Sequence, residues 1–182
     1  YAVLRQSGRT HIALLTNGHP SREFPAPEGT EFMDLAADGD SGLYVGVARG
    51  NNSDIMHLDL IDGELRPVLA STHNERDPFT RNGRLYFSSD PGGDYAIYSL
   101  SGDTIFRHSA PGPSAAFSPS TDGATLRFST YAPQGFLLRS QPLDSGVALA
   151  LLGSSSNASF PKPPAVNMGV GDYDRTHMQL LG

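Results

Sequence analysis

The 182-residue chain has no cysteine, no tryptophan and a single lysine, Lys162. Without cysteine there can be no disulfide, no thiolate-bound zinc and no thiol nucleophile. The same absence suits an exported bacterial protein as well as many cytosolic ones. Long apolar runs are also missing. The longest, such as VALALL at 147–152, have the length of a strand, far short of the roughly 18 residues of a membrane-spanning helix. Positive charge is scarce, with 13 Lys and Arg against 19 Asp and Glu and a net charge of −6. Phosphate backbones need a clustered basic excess, so nucleic acid is not an expected partner. No window of a dozen residues free of Gly and Pro carries a sustained 3.6-residue apolar period, which excludes long amphipathic helices.

Catalytic signatures are absent too. There is no GxSxG elbow, no HExxH helix, no GxxxxGK[ST] phosphate loop and no Rossmann glycine pattern. The glycines of DPGGDY sit between two strand-like runs, where no helix N-terminus is available to hold an anion. Six histidines (His11, His19, His57, His73, His108 and His177) are scattered over different segments, and no metal or cofactor is expected. DLIDGE at 59–64 brings Asp59, Asp62 and Glu64 together but lacks the EF-hand spacing, and its Asp-Gly pair reads as a turn. The chain opens on Tyr1 without a signal-peptide pattern, as expected of a mature chain, an engineered segment or an excised domain.

What the sequence does contain is turn residues and a repeat. Twenty Gly and 14 Pro, spread throughout, suit short strands joined by tight turns. Leu85 and Phe87 in RLYFSSD are matched by Leu43 and Val45 in GLYVGVA, by Leu126 and Phe128 in TLRFSTY, and by Tyr1 and Val3 in YAVLRQS. The spacing is 41 or 42 residues each time. A second marker follows at Ile12, Ile55, Ile97 and Leu137. After it come the pairs Asn17-Gly18, Asp62-Gly63, Ser101-Gly102 and Ser145-Gly146, which suit tight hairpins, and then another apolar run, the last being GVALALLG at 146–153. A third marker precedes the first: Phe32-Met33-Asp34-Leu35, Pro78-Phe79-Thr80 and Ala116-Phe117-Ser118, with Asp38-Gly39, Asn82-Gly83 and Asp122-Gly123 joining it to the next strand. Four strands (a, b, c, d) in about 40 residues is the content of a propeller blade. The predicted fold is therefore all-β, a small or partial β-propeller of about four blades with up to four antiparallel strands each. The blades are expected at about 1–31, 32–76, 77–114 and 115–153.

DPFTRNGRLYFSSDPGGDYAIYSLSGD at 77–103 resembles the TolB-type, WD40-like propeller repeat, with its Phe-Ser-Ser-Asp strand end, Gly-rich turn and Ile-Tyr. FSPSTDGATLRFST at 117–130 is similar, and the resemblance extends over residues 1–153. Burial between sheets is expected to turn Leu85 and Phe87 toward a neighbouring blade, and Asp90 is expected to accept backbone hydrogen bonds in its own turn. The resemblance implies a TolB-like propeller domain. It also implies a non-catalytic interaction or scaffold domain of a bacterial periplasmic or cell-envelope protein. Such a domain docks protein partners or another domain of its own chain, and meets a membrane only through an adjoining domain. An alternative implied by the same resemblance is an accessory propeller that gates substrate for a peptidase domain outside this chain.

Residues 154–182 begin as a Pro-rich linker. Within them, 170–181 reads either as an early strand of an outer-membrane barrel or as the missing inner strand of the propeller. Strand alternation places the b–c and d–a loops at one end of the blades. The binding residues expected there are Arg49, Asn51, Asn52, His73, Asn74, Glu75, Arg76, Asp90 and Tyr131.

Overall fold

The computed structural model describes residues 1–109, 115–143 and 146–151. Among these there are fifteen strands in four antiparallel sheets and no α-helix. The first sheet holds β1 (Ala2–Gln6), β2 (Arg9–Thr16) and β3 (His19–Pro25). The second is a complete blade of β4 (Glu31–Asp38), β5 (Gly42–Arg49), β6 (Asn52–Asp59) and β7 (Leu65–Leu69). The third contains β8 (Glu75–Arg81), β9 (Arg84–Ser89), β10 (Ala96–Ser101) and β11 (Thr104–Arg107), and the fourth β12 (Ala116–Thr121), β13 (Thr125–Ala132) and β14 (Gly135–Pro142). The protein is a partial β-propeller. Its linker and its 170–181 segment lie outside the described residues.

The turn residues act as their chemistry requires. Asn17 and Gly18 have φ of 52° and 80°, and Asn82 and Gly83 have 52° and 69°. Two consecutive positive φ angles match the right-handed twist of the flanking strands and close two-residue hairpins. The core is three layers, one between each pair of successive sheets. Ile12 and Phe24 pack on Leu43, Val45 and Val47; Ile55 and Leu69 on Leu85 and Phe87; Tyr86 and Ile97 on Ala116, Leu126 and Phe128. Leu85 and Phe87 thus face the preceding blade. Full burial of each such side chain is worth about 1.5–3 kcal/mol, so stacked sheets hold the arc together. The first strands of the second, third and fourth sheets, β4, β8 and β12, lie side by side along its inner edge.

Two features depart from the expected strand plan. The run at 146–153 was expected to follow β14 as the fourth strand of the last blade. Instead β15 (Val147–Leu151) pairs with β11 and makes the third sheet five-stranded. Gly146 permits this, because a Cβ there would come within 2.8 Å of His108 Cε1 and 3.1 Å of Phe106 Cβ. Gln141 Nε2 also donates to the His108 carbonyl at 2.7 Å, fixing the end of β14 to the third blade. The second feature is register. Ile12, Ile55 and Ile97 pair across to Val3, Gly46 and Ser88, and the matching partner of Ser129 is Leu138, not Leu137. Likewise Val3, opposite Ile12, corresponds to Gly46 and not to Val45. A one-residue slip reverses the face of a strand residue.

Candidate functional site

The loop end of the second and third blades is a braced polar network. Asp90 lies at the end of β9, and its carboxylate takes the Asn74 backbone N–H at 2.7 Å and Asn74 Nδ2 at 2.9 Å. It therefore ties the loop between two blades to the turn between β9 and β10. Its own turn is closed by its backbone carbonyl, which accepts from Gly93 N–H at 2.8 Å. The expected backbone hydrogen bond to this carboxylate is present, but it comes from the neighbouring loop. Asn52 Nδ2 donates to Asp54 Oδ1 at 3.1 Å and to the Ser71 carbonyl at 3.3 Å.

Glu75, the first residue of β8, is only 3% exposed. Its Oε1 accepts from Ser71 Oγ at 2.7 Å and Ser89 Oγ at 3.4 Å, while Oε2 is buried without a partner among the described residues. Burial pushes this carboxyl up to about 7; the two serine hydroxyls oppose the shift, and nearby Asp54 and Asp90 add to it. Burial also raises Asp54, chiefly against a hydrogen bond from the Ser71 backbone.

The inner strands add a column of equivalent residues that spacing alone does not announce. Asp77 N–H donates to Asp34 Oδ2 at 3.1 Å, and Ser118 N–H donates to Asp77 Oδ2 at 3.0 Å. The acidic residue of one blade thus accepts the backbone donor of its counterpart in the next. Each of the three strands carries a register shift near this point. A bulge re-aims its residues, and Asp77 and Ser118 there adopt φ of 54° and 52°. Ser88 Oγ donates to Asp77 Oδ2 at 2.9 Å. The equivalent of Ser88 beside Asp34 is Gly46, where a Cβ would lie 2.1 Å from Asp34 Oδ1. Burial raises the Asp34 carboxyl, opposed first by the Asp77 backbone hydrogen bond.

Arg76 carries the network outward. Its guanidinium lies 5.7 Å from the Tyr95 ring and 6.0 Å from the Phe117 ring, within cation–π range. Tyr95 touches Phe117 at 5.0 Å, Phe117 reaches Phe136 at 6.5 Å, and Phe136 meets Tyr131 at 5.2 Å between ring centres. An aromatic path therefore runs from the inner strands to the exposed β13–β14 hairpin.

The structure brings Asn52, Asn74, Glu75, Arg76 and Asp90 into one braced region, and Tyr131 joins it through the aromatic path. Glu75 lies inside it and not on its rim. Arg49 and Asn51 are exposed in the β5–β6 turn, and His73 N–H donates to Ser71 Oγ at 3.0 Å. Sequence reasoning missed Asp34, Asp77, Tyr95 and Phe117. Aligning the bulges would have found the first two, because Asp34, Asp77 and Ser118 recur 43 and 41 residues apart. At the opposite end, a groove of about 350 Å³ lies between the a–b turns of the second and third blades, lined by Asp38, Tyr44, Thr80, Arg81 and Arg84 among others. Among the described residues, no three His, Asp or Glu side chains are grouped to hold a metal ion. Asp59 and Asp62 serve their turn: their carboxylates accept from the backbone N–H groups of Ile61, Asp62 and Glu64.

No family model and no curated protein matches this sequence. Among solved structures, the chain is similar to a protein assigned as a TolB, from Agrobacterium tumefaciens. The two share 17% identity with a TM-score of 0.65, over 81% of this chain and 58% of that one. The fold is TolB-like. This chain spans 58% of that protein's length.

Proposed function

We propose that this chain is a non-catalytic TolB-like propeller module of a bacterial cell-envelope protein, and that it binds a protein partner through its braced loop end. The observation that carries this reading is the contrast within that end. Asp90, Asn74 and Glu75 tie the loops to each other and to the third sheet, and the Asp34–Asp77–Ser118 column joins the inner strands beneath them. Meanwhile Arg49, Asn51, Tyr131 and Phe136 stand out toward solvent above them. Ordered loops with exposed aromatic and arginine side chains lose little entropy on binding and supply the residue types that dominate protein interfaces.

What supports an envelope location is the TolB-like fold together with the resemblance of 77–103 to the TolB-type repeat. Crosslinking in envelope extracts, followed by partner identification, tests the reading. The same partner should be lost on Tyr131→Ala combined with Arg49→Asp and retained on Arg81→Asp at the opposite end. Equal capture by all three proteins would refute the assignment of the loop end.

A further inference from the structure

The loop between β7 and β8 is held by acids, and one of those acids is buried beneath it. Residues 70–74 belong to no strand. Ser71 Oγ donates to Glu75 Oε1 at 2.7 Å, and the Ser71 backbone N–H donates to the Asp54 carboxylate. His73 N–H donates to Ser71 Oγ at 3.0 Å, and Asn74 gives its N–H and its Nδ2 to Asp90. Ser89, the other hydroxyl on Glu75, is fixed directly opposite it on β9. Ser71 is carried by the loop alone.

The surroundings of Glu75 offer little to balance a negative charge. The residue is 3% exposed, and its Oε2 has no partner among the described residues. Asp54 acts on it from β6 and Asp90 from the end of β9, both with like charge. Arg49 acts on Asp54, and the Arg107 guanidinium lies 6.0 Å from the ring of Tyr98 on β10. Arg76, next on β8, turns to Tyr95 and Phe117, and His73 lies in the covering loop. No ion pair among the described residues includes Glu75. An ionised carboxylate in such a place has to gain water or further donors. The part of its cover that can yield without breaking a β-ladder is the loop.

We propose that Glu75 is a proton-operated latch on the 71–74 loop: the loop closes over the neutral acid, and opens to admit water when the acid ionises. Asn52 Nδ2 donates to the Ser71 carbonyl at 3.3 Å, so opening also releases the β5–β6 turn that carries Arg49 and Asn51. A loosened loop loses more entropy on docking. Resting on the partner-binding role proposed above for this end, the latch makes capture of the partner weaken as pH rises through neutrality.

Hydrogen exchange of the 182-residue chain between pH 5 and pH 8, corrected for the intrinsic pH dependence of exchange, tests the latch. The Ser71 and Asn74 amides should be less protected than those of the central strands β5 and β9, because they open locally. Their protection should fall roughly 70-fold from pH 5 to pH 8, the factor set by a carboxyl that moves between 4.5 in the open loop and about 7 in the closed one. In Glu75→Gln, which keeps the acceptor and cannot ionise, it should stay level. Ser71→Ala leaves the acid in place but removes the loop's hold on it, and should lower Asn74 protection at pH 5 roughly fivefold. Loop amides protected as strongly as the central strands would overturn the proposal. So would protection that is level in the native chain, that still falls in Glu75→Gln, or that Ser71→Ala leaves unchanged. Crosslinked capture of the partner should weaken from pH 5 to pH 8 for the native chain and hold steady for Glu75→Gln; an equal change in both refutes the control of binding. Failure of the loop-end reading itself shows separately, as capture that the combined Tyr131→Ala and Arg49→Asp variant retains.

Discussion

Glu75 makes the stability of this protein depend on pH in a direction opposite to that of a salt-bridged carboxylate. Its folded-state value of about 7 lies well above its ordinary value of 4.5. Between those two pH values the folded chain holds a proton that the unfolded chain has released, so stability falls as pH rises. The contribution is fully present below about pH 4.5 and fully lost above about pH 7. A shift of this size corresponds to about 3 kcal/mol, a sizeable part of the ~5–15 kcal/mol by which small domains are stable. Solvent does little to screen this group, because Glu75 is only 3% exposed.

Glu75→Gln should remove the dependence. The amide oxygen keeps the acceptor for Ser71 and Ser89, and no charge develops beside Asp54 and Asp90. Urea unfolding of both proteins at a series of pH values gives the measurement. The two should be of similar stability at pH 4.5, and the variant should be the more stable by up to about 3 kcal/mol at pH 8. Because Asp34 and Asp54 are common to both proteins, the difference between the curves isolates Glu75. Parallel curves across the whole range would refute the argument that burial holds a proton on this carboxyl.

Other substitutions probe the packing. Gly46→Ala drives a Cβ onto Asp34 Oδ1 and should destabilise by about 2–3 kcal/mol in the same urea assay. Asp77→Ala leaves Ser88 Oγ and the Ser118 N–H without their acceptor and should cost about 2 kcal/mol by thermal unfolding. Ile97→Ala should cost about 2–5 kcal/mol, whereas Leu138→Ala, at the same register but exposed, should change monomer stability by no more than about 0.5 kcal/mol. Gly146→Val places a branched side chain against His108 and Phe106, and hydrogen exchange at Thr104–Arg107 should quicken as β15 leaves β11.

The repeat was legible because its signals are local. Asn-Gly and Asp-Gly pairs ask for positive φ wherever they occur, and alternating apolar residues declare a strand without reference to its neighbours. Hence the strand count in the second and third blades and the facing of Leu85 and Phe87 followed from the sequence alone. Faces misassigned by one residue, at Leu137 and Val3, arose because markers were aligned by apolar identity. The pairing register is set instead by the turns Ser7-Gly8 and Gly50-Asn51 and by the tightness of the Ala132–Gly135 hairpin.

Three decisions belonged to the tertiary structure. The Asp34–Asp77–Ser118 column exists because bulges on separate strands turn equivalent residues toward one another. Glu75 looks like a surface loop residue in sequence, and only the closing of Ser71 and Ser89 over it makes it a buried acid. The final apolar run had two edges available, β14 and β11, and strand propensity is the same for both. The choice fell to a contact between residues distant in sequence, in which a missing side chain at Gly146 lets the backbone settle against Phe106 and His108.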